Sequence, residues 1–80
     1  MMNKFQDLME AAVLVKVVVD ANADKMHFKT VEGVIKHVGR EYIEIERPAD
    51  ADEKSRHKAE KARVIVPVNK IAEVIYYQFE

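Results

Sequence analysis

Two rhythms of apolar residues run along this chain. Near the start, Phe5, Leu8, Met9 and Ala12 recur at i, i+3, i+4 and i+7, one face of a short helix over 3–12. Asn3 stands in front as a cap, with Gln6 three residues later as its capping-box partner. A helix of about ten residues is not stable alone in water, so this stripe is read as packing over a core.

The period then drops to two. Residues 13–20, VLVKVVVD, are rich in β-branched side chains and predict a strand, with Lys16 and Asp20 on its solvent face. Residues 21–25, ANADK, form a polar turn. A long strand follows over 26–38, and its alternation shifts at Gly33. A glycine inside a strand marks a bulge, a bend or a close backbone approach. Gly39-Arg40 gives a tight turn. In 41–47, Ile43 and Ile45 point inward and Glu44 and Glu46 outward, until Pro48 ends the strand.

A second strand-turn-strand pattern occupies 62–77, ARVIVPVNKIAEVIYY. Its strands are predicted at 63–68 and 72–79. Asn69-Lys70 makes the tight connection between them, open to one turn of 3₁₀ helix. Residues 48–62, PADADEKSRHKAEKA, are the long charged insertion. A charged helical turn, a long hairpin tip and a mobile loop all fit that segment. The order predicts a mainly β fold: a short N-terminal helix, then a five-stranded, strongly bent barrel filling one domain over 1–80.

Size and composition narrow the picture. A chain of 80 residues buries only about 60% of its unfolded surface, so its own core is marginal. Without cysteine it has no disulfide to help, and small domains of this kind often gain stability by oligomerising. Absence of cysteine also fits a reducing cytoplasm, the expected location. The apolar run 11–19 is broken by Lys16, lacks a basic lead-in and ends at Asp20. It therefore reads as neither a signal peptide nor a membrane span, and no membrane partner is expected.

The net charge is −1, from 13 basic and 14 acidic side chains, whereas nucleic-acid-binding domains usually carry a basic excess. Locally the balance reverses. Between 47 and 63, Arg47, Lys54, Arg56, Lys58, Lys61 and Arg63 outnumber Asp50, Asp52, Glu53 and Glu60. That segment is either a solvated loop of mixed charge or a basic arm touching phosphates.

Catalytic and metal chemistry find little footing. His27, His37 and His57 have no carboxylate cluster at ligand spacing. Ser55 lies two residues from His57 but within a charged run, where such a pair arises by composition. The two glycines make no phosphate loop. Glu44 and Glu46 read as surface acids. The expectation is a protein with no catalytic residues, no metal and no cofactor, and not an enzyme.

A helix followed by five strands, the second long and bent, resembles the Sm-like family, whose members include the Sm and LSm proteins and bacterial Hfq. In their first motif a glycine is followed by apolar residues two and five positions on. Gly33, Ile35 and Val38 match that spacing. The usual acidic residue at the sixth position is Gly39 here. Tyr42 falls at an apolar position, and Ile43 replaces the asparagine of the eukaryotic and archaeal proteins, as in Hfq. The second motif is similar to 66–74 in apolar pattern. Neither the isoleucine-arginine-glycine triplet of Sm proteins nor the lysine-histidine pair of Hfq is present, and Asn69 falls about where that histidine would lie. The same apolar spacing suits other small SH3-like barrels.

The resemblance implies rings of six or seven subunits in which the last strand of one subunit pairs with the fourth strand of the next. Val64, Ile65 and Val66 and then Val74, Ile75, Tyr76 and Tyr77 would form the subunit interface. Two β-prone edges without inward lysines need such cover, although both strands could instead pair with each other within one barrel. The resemblance also places uridine-rich single-stranded RNA at the pore, on the turns after the second and fourth strands. There Arg40 and Lys70 would meet phosphate, Asn69 would read a base edge, and His37 or Tyr42 would stack. Each has a plainer reading: Arg40 and Lys70 as solvated charges, Asn69 as a turn former and Tyr42 as a half-buried strand residue. Two functions follow: a ring-forming RNA-binding protein, or an oligomeric structural or protein-interaction module on the same fold without nucleic acid.

Overall fold

A computed structural model describes residues 4–22 and 27–77. Helix α1 spans Lys4–Ala11 and is followed by strands β1 (Leu14–Asn22), β2 (His27–Val38) and β3 (Tyr42–Pro48). A second helix, α2 (Ala51–His57), precedes β4 (Lys61–Pro67). A single 3₁₀ turn over Val68–Lys70 leads into β5 (Ile71–Tyr76). The expected cap Asn3, residues 23–25 of the expected turn, Met26 at the start of the expected long strand and residues 78–79 of the expected last strand lie outside the described residues, whereas Ala21 and Asn22, expected in that turn, continue β1. Gln6 donates its side-chain amide to Glu10 at 3.2 Å, a helical i,i+4 pair.

All strand pairings are antiparallel, in the order β4-β3-β2-β1-β5. The fold class is therefore mainly β, as the sequence implies, but the sheet does not close. The reading in which the two late strands pair with each other is corrected: β4 bonds to β3 and β5 to β1, so the two occupy opposite edges. Their short connection permits a hairpin but does not impose one, because the 3₁₀ turn carries the chain across.

Core packing follows from the pleat. Val15, Val17, Ile35, Ile43 and Ile45 are fully buried, and Leu8 of α1, Val31 and Val66 join them. Among the described elements only α1 covers the inner face, since α2 buries no residue. Complete burial with so thin a cover requires the sheet to curl over its own inner side. Bulges between Asp20 and Asn22, between Val18 and Val19, and between Ile35 and His37 help it do so.

Gly33 permits that curl. A Cβ there would overlap the Glu46 carbonyl oxygen and lie 2.8 Å from Ile45 Cγ2, so β2 and β3 approach more closely than any side chain allows.

The 48–62 segment, open in sequence, is settled by a local motif. Asp50 caps α2 by accepting from the Glu53 amide at 2.8 Å, and the Glu53 carboxylate accepts from the Asp50 amide at 2.9 Å. This is a reciprocal capping box. Lys58, with φ 56°, stops the helix in the left-handed region.

Candidate functional site

Two turns meet at one end of the sheet. Gly39 donates its amide to the Tyr42 carbonyl at 2.8 Å, closing the β2–β3 turn. The Tyr42 ring lies where a Cβ on Gly39 would project, which explains a glycine at this position. The ring is 5.7 Å from that of His37, tilted by 41°. Across the ladder Tyr42 stands opposite Pro67, and the Val68 amide donates to the Glu41 carbonyl at 2.9 Å. The turn after β4 is thereby fastened to the turn after β2.

The result is a shallow concavity of about 310 Å³ lined by Arg40, Glu41, Pro67, Val68 and Asn69. Of the residues singled out in the sequence, Arg40 and Asn69 share this surface. Tyr42 is half-buried behind it with exposed His37 alongside, and Lys70 ends the 3₁₀ turn, exposed but outside the lining. Among the described residues neither Arg40 nor Lys70 makes an ion pair, so both cations remain available to an anion. Glu41 places a carboxylate in the same concavity. The sequence places Glu41 and Val68 in these two turns, with Glu41 as a rim carboxylate that argues against RNA, but it did not point to Pro67 as lining; a proline two residues before Asn69 was the available signal of a fixed turn.

The basic arm is different. Arg47 grips Glu53 with two parallel hydrogen bonds of 2.8 and 3.0 Å. The Arg47 guanidinium, then the Asp50 amide, holds the Glu53 carboxyl down at about 2. Arg56 pairs with Asp52 at 3.0 Å and Lys61 with Glu46 at 3.8 Å. Arg63 bridges Glu46 at 3.2 Å and Glu44 at 3.3 Å. The Arg63 hydrogen bond is the main reason the Glu46 carboxyl lies below its usual range. Of the six cations in this segment only Lys54 and Lys58 lack an acidic partner among the described residues. The segment presents compensated charge rather than a basic stripe. Ser55 donates its hydroxyl to the Asp52 carbonyl at 3.5 Å, a within-helix contact that does not involve His57.

The interface residues named from sequence divide by the pleat. Val66 is buried in the core, and Val64, Val74 and Tyr76 pack partly against it. Their side chains face inward, so at an edge they offer a partner their backbone. Ile65, Ile75 and Tyr77 take the outward positions, and Ile65 and Tyr77 are exposed.

Beside β5 runs an apolar groove of about 640 Å³ that the sequence did not reveal. Leu8, Val13, Leu14, Tyr76 and Tyr77 contribute to its lining, together with Lys4 and Asp7. The Lys4 ammonium sits 5.3 Å from the centre of the Tyr76 ring, a cation–π distance. Leu14 carried the one sequence signal, an apolar residue on the opposite parity to buried Val15 and Val17.

No three His, Cys, Asp or Glu residues among those described group to hold a metal ion. No described helix is long and apolar enough to cross a membrane. No family model matches the chain, and neither a curated protein nor a solved structure does so.

Proposed function

We propose that this chain is a ring-forming subunit of Sm-like type that assembles edge to edge and binds single-stranded, uridine-rich RNA at its turn cluster. One observation carries the reading: the strand order leaves β4 and β5 as opposite open edges, while the turn between them bonds to the β2–β3 turn. A contact between two different edges is heterologous, and repeated with the right rotation it closes into a ring of six or seven copies. Closure would gather Arg40, Asn69 and Lys70 from every copy around one opening. Cations repeated around a pore focus a field that attracts phosphate, and His37 beside Tyr42 offers aromatic surface for a base.

A second reading has its own support. Glu41 lies in the same concavity as Arg40, and the cations of 47–63 are mostly consumed by acids. Those features favour an oligomeric structural or protein-interaction module without nucleic acid.

Light scattering on a sizing column, with and without a short uridine-rich RNA, separates the two. A multimer that takes up RNA, loses it steeply with added salt, and no longer binds it as Arg40→Glu with Lys70→Glu supports the first reading. A multimer indifferent to RNA supports the second. A monomer of 9.2 kDa overturns both.

A further inference from the structure

We infer that this chain forms a two-fold dimer through β5, with Ile75 opposite Ile75 of a second copy. The inference rests on the second reading above, the oligomeric module, and gives that oligomer a partner and a symmetry. Neighbouring strands alternate in direction along β4-β3-β2-β1-β5, so the two open edges run the same way. Joining one kind of edge to the other with the core faces continuous therefore makes a parallel pair, the slightly less stable kind. Joining an edge to its own copy, about a two-fold axis normal to the sheet, makes an antiparallel pair and keeps the faces continuous. Such a contact is isologous and closes at two copies.

The two edges are not equally suited to it. Along β4, Lys61 and Arg63 are cations of the kind that guard an edge, and Pro67 has no amide to donate. An axis through Ile65 would set Arg63 against Pro67. Strand β5 reads IAEVIY, with neither proline nor a cation, and Glu73 is its only charged residue. The pleat then selects the register. Glu73 and Ile75 face outward, opposite Val18 and Lys16 of β1, whereas Val74 and Tyr76 face the core. Continuous faces require outward residues to meet outward residues, so the axis passes through a residue and not between two. On Ile75, isoleucine covers isoleucine outside and Val74 meets Tyr76 inside, on both sides of the axis. Glu73 then meets Tyr77, which is 62% exposed, and the two carboxylates stay apart. An axis on Val74 would set Ile75 against Glu73 and run the ladder into the irregularity between Glu73 and Ile71. An axis on Tyr76 would run it off the end of β5.

Because the chain has no cysteine, a single introduced one reports the axis. Directly opposed residues have Cβ atoms about 4.5–5.5 Å apart, close to what a disulfide spans. Ile75→Cys alone should give a covalent dimer and nothing larger on mild oxidation, while Ile65→Cys should stay at monomer mass. Ile75→Lys sets like charges on the axis. It should halve the solution mass from twice 9.2 kDa with an unchanged circular dichroism spectrum, and Ile65→Lys should not. If light scattering shows a multimer but Ile75→Cys does not crosslink and Ile75→Lys keeps the mass, the β5 junction is wrong and the oligomeric reading stands. A ladder of covalent multimers that requires Ile65→Cys together with Ile75→Cys overturns the dimer in favour of ring closure. A monomer in solution overturns the dimer and the oligomeric reading together.

Discussion

The amide of Val68 donates to the carbonyl of Glu41 at 2.9 Å, and through this bond two turns distant in sequence hold one shape. Proline at position 68 removes that donor and little else. Pro67 is already extended, with φ −64° and ψ 134°, as a residue before proline must be. Val68→Pro should lower stability by about 0.5–1.5 kcal/mol in urea denaturation, the usual worth of one hydrogen bond. Amide exchange should quicken at Asn69 and Lys70 and remain slow in the β2 centre. If uridine-rich RNA binds at the cluster, its affinity should fall with the loss of that shape.

Gly33→Ala should cost more. The added carbon meets backbone, the Glu46 carbonyl, and not the end of a flexible side chain. Overpacking of this kind costs about 1–3 kcal/mol, and relief requires β2 and β3 to separate. Chemical denaturation measures the loss. Changed amide shifts at Ile45 and Glu46 would place it.

Ala12→Gly should work in the opposite direction. Ala12 has φ 56°, and the bonds from its amide to Met9 and from the Val13 amide to Leu8 form a Schellman ending to α1. Left-handed backbone costs an L-residue about 1–2 kcal/mol. Glycine removes that cost but frees the unfolded chain by about 0.4–1 kcal/mol. A net gain of about 0.5–1 kcal/mol should appear as a higher denaturation midpoint with unchanged slope.

The Arg47–Glu53 pair makes α2 sensitive to acid. The Glu53 carboxyl is depressed from an ordinary 4.5 to about 2, first by Arg47 and then by the Asp50 amide. A depressed carboxylate contributes stability that is present above its unfolded value and lost as pH falls through its folded one. The α2 amides of Asp50 and Glu53 should therefore stay protected at pH 5 and lose protection between about pH 4.5 and 2. Arg47→Ala should move the Glu53 titration, followed by carboxyl NMR, toward the ordinary value.

Where the sequence was readable, one residue type in one local pattern carried the message. Ile43 and Ile45 alternate with Glu44 and Glu46, so the inner and outer faces of β3 could be assigned without coordinates. Gly33 announced the bend because glycine has few other uses inside a strand. The placement of β4 and β5 at opposite edges was not readable, since short connections suit both a hairpin and a crossing. Arg63 reaches Glu46 and Glu44 across 17 and 19 residues, a distance no local spacing reveals. Helix α2 stayed open because it has no apolar face, although Asp50 followed by Glu53 was the capping signal that would have found it. At the turn cluster Arg40 and Asn69 could be named in advance. Glu41 joins them because a backbone bond folds the two turns together.

The neck beneath α2 has a wider meaning. The Ala49 amide donates to the Glu60 carbonyl at 3.1 Å, just beyond the last ladder pair, Pro48 with Lys61. Above that closure the helix takes its cap from Asp50, its anchor from Arg47 and its stop from Lys58, and it gives nothing to the core. The β3–β4 connection is thus a detachable cassette. Its length and content can drift, or be exchanged for a reporter peptide, while the strands below keep their alignment.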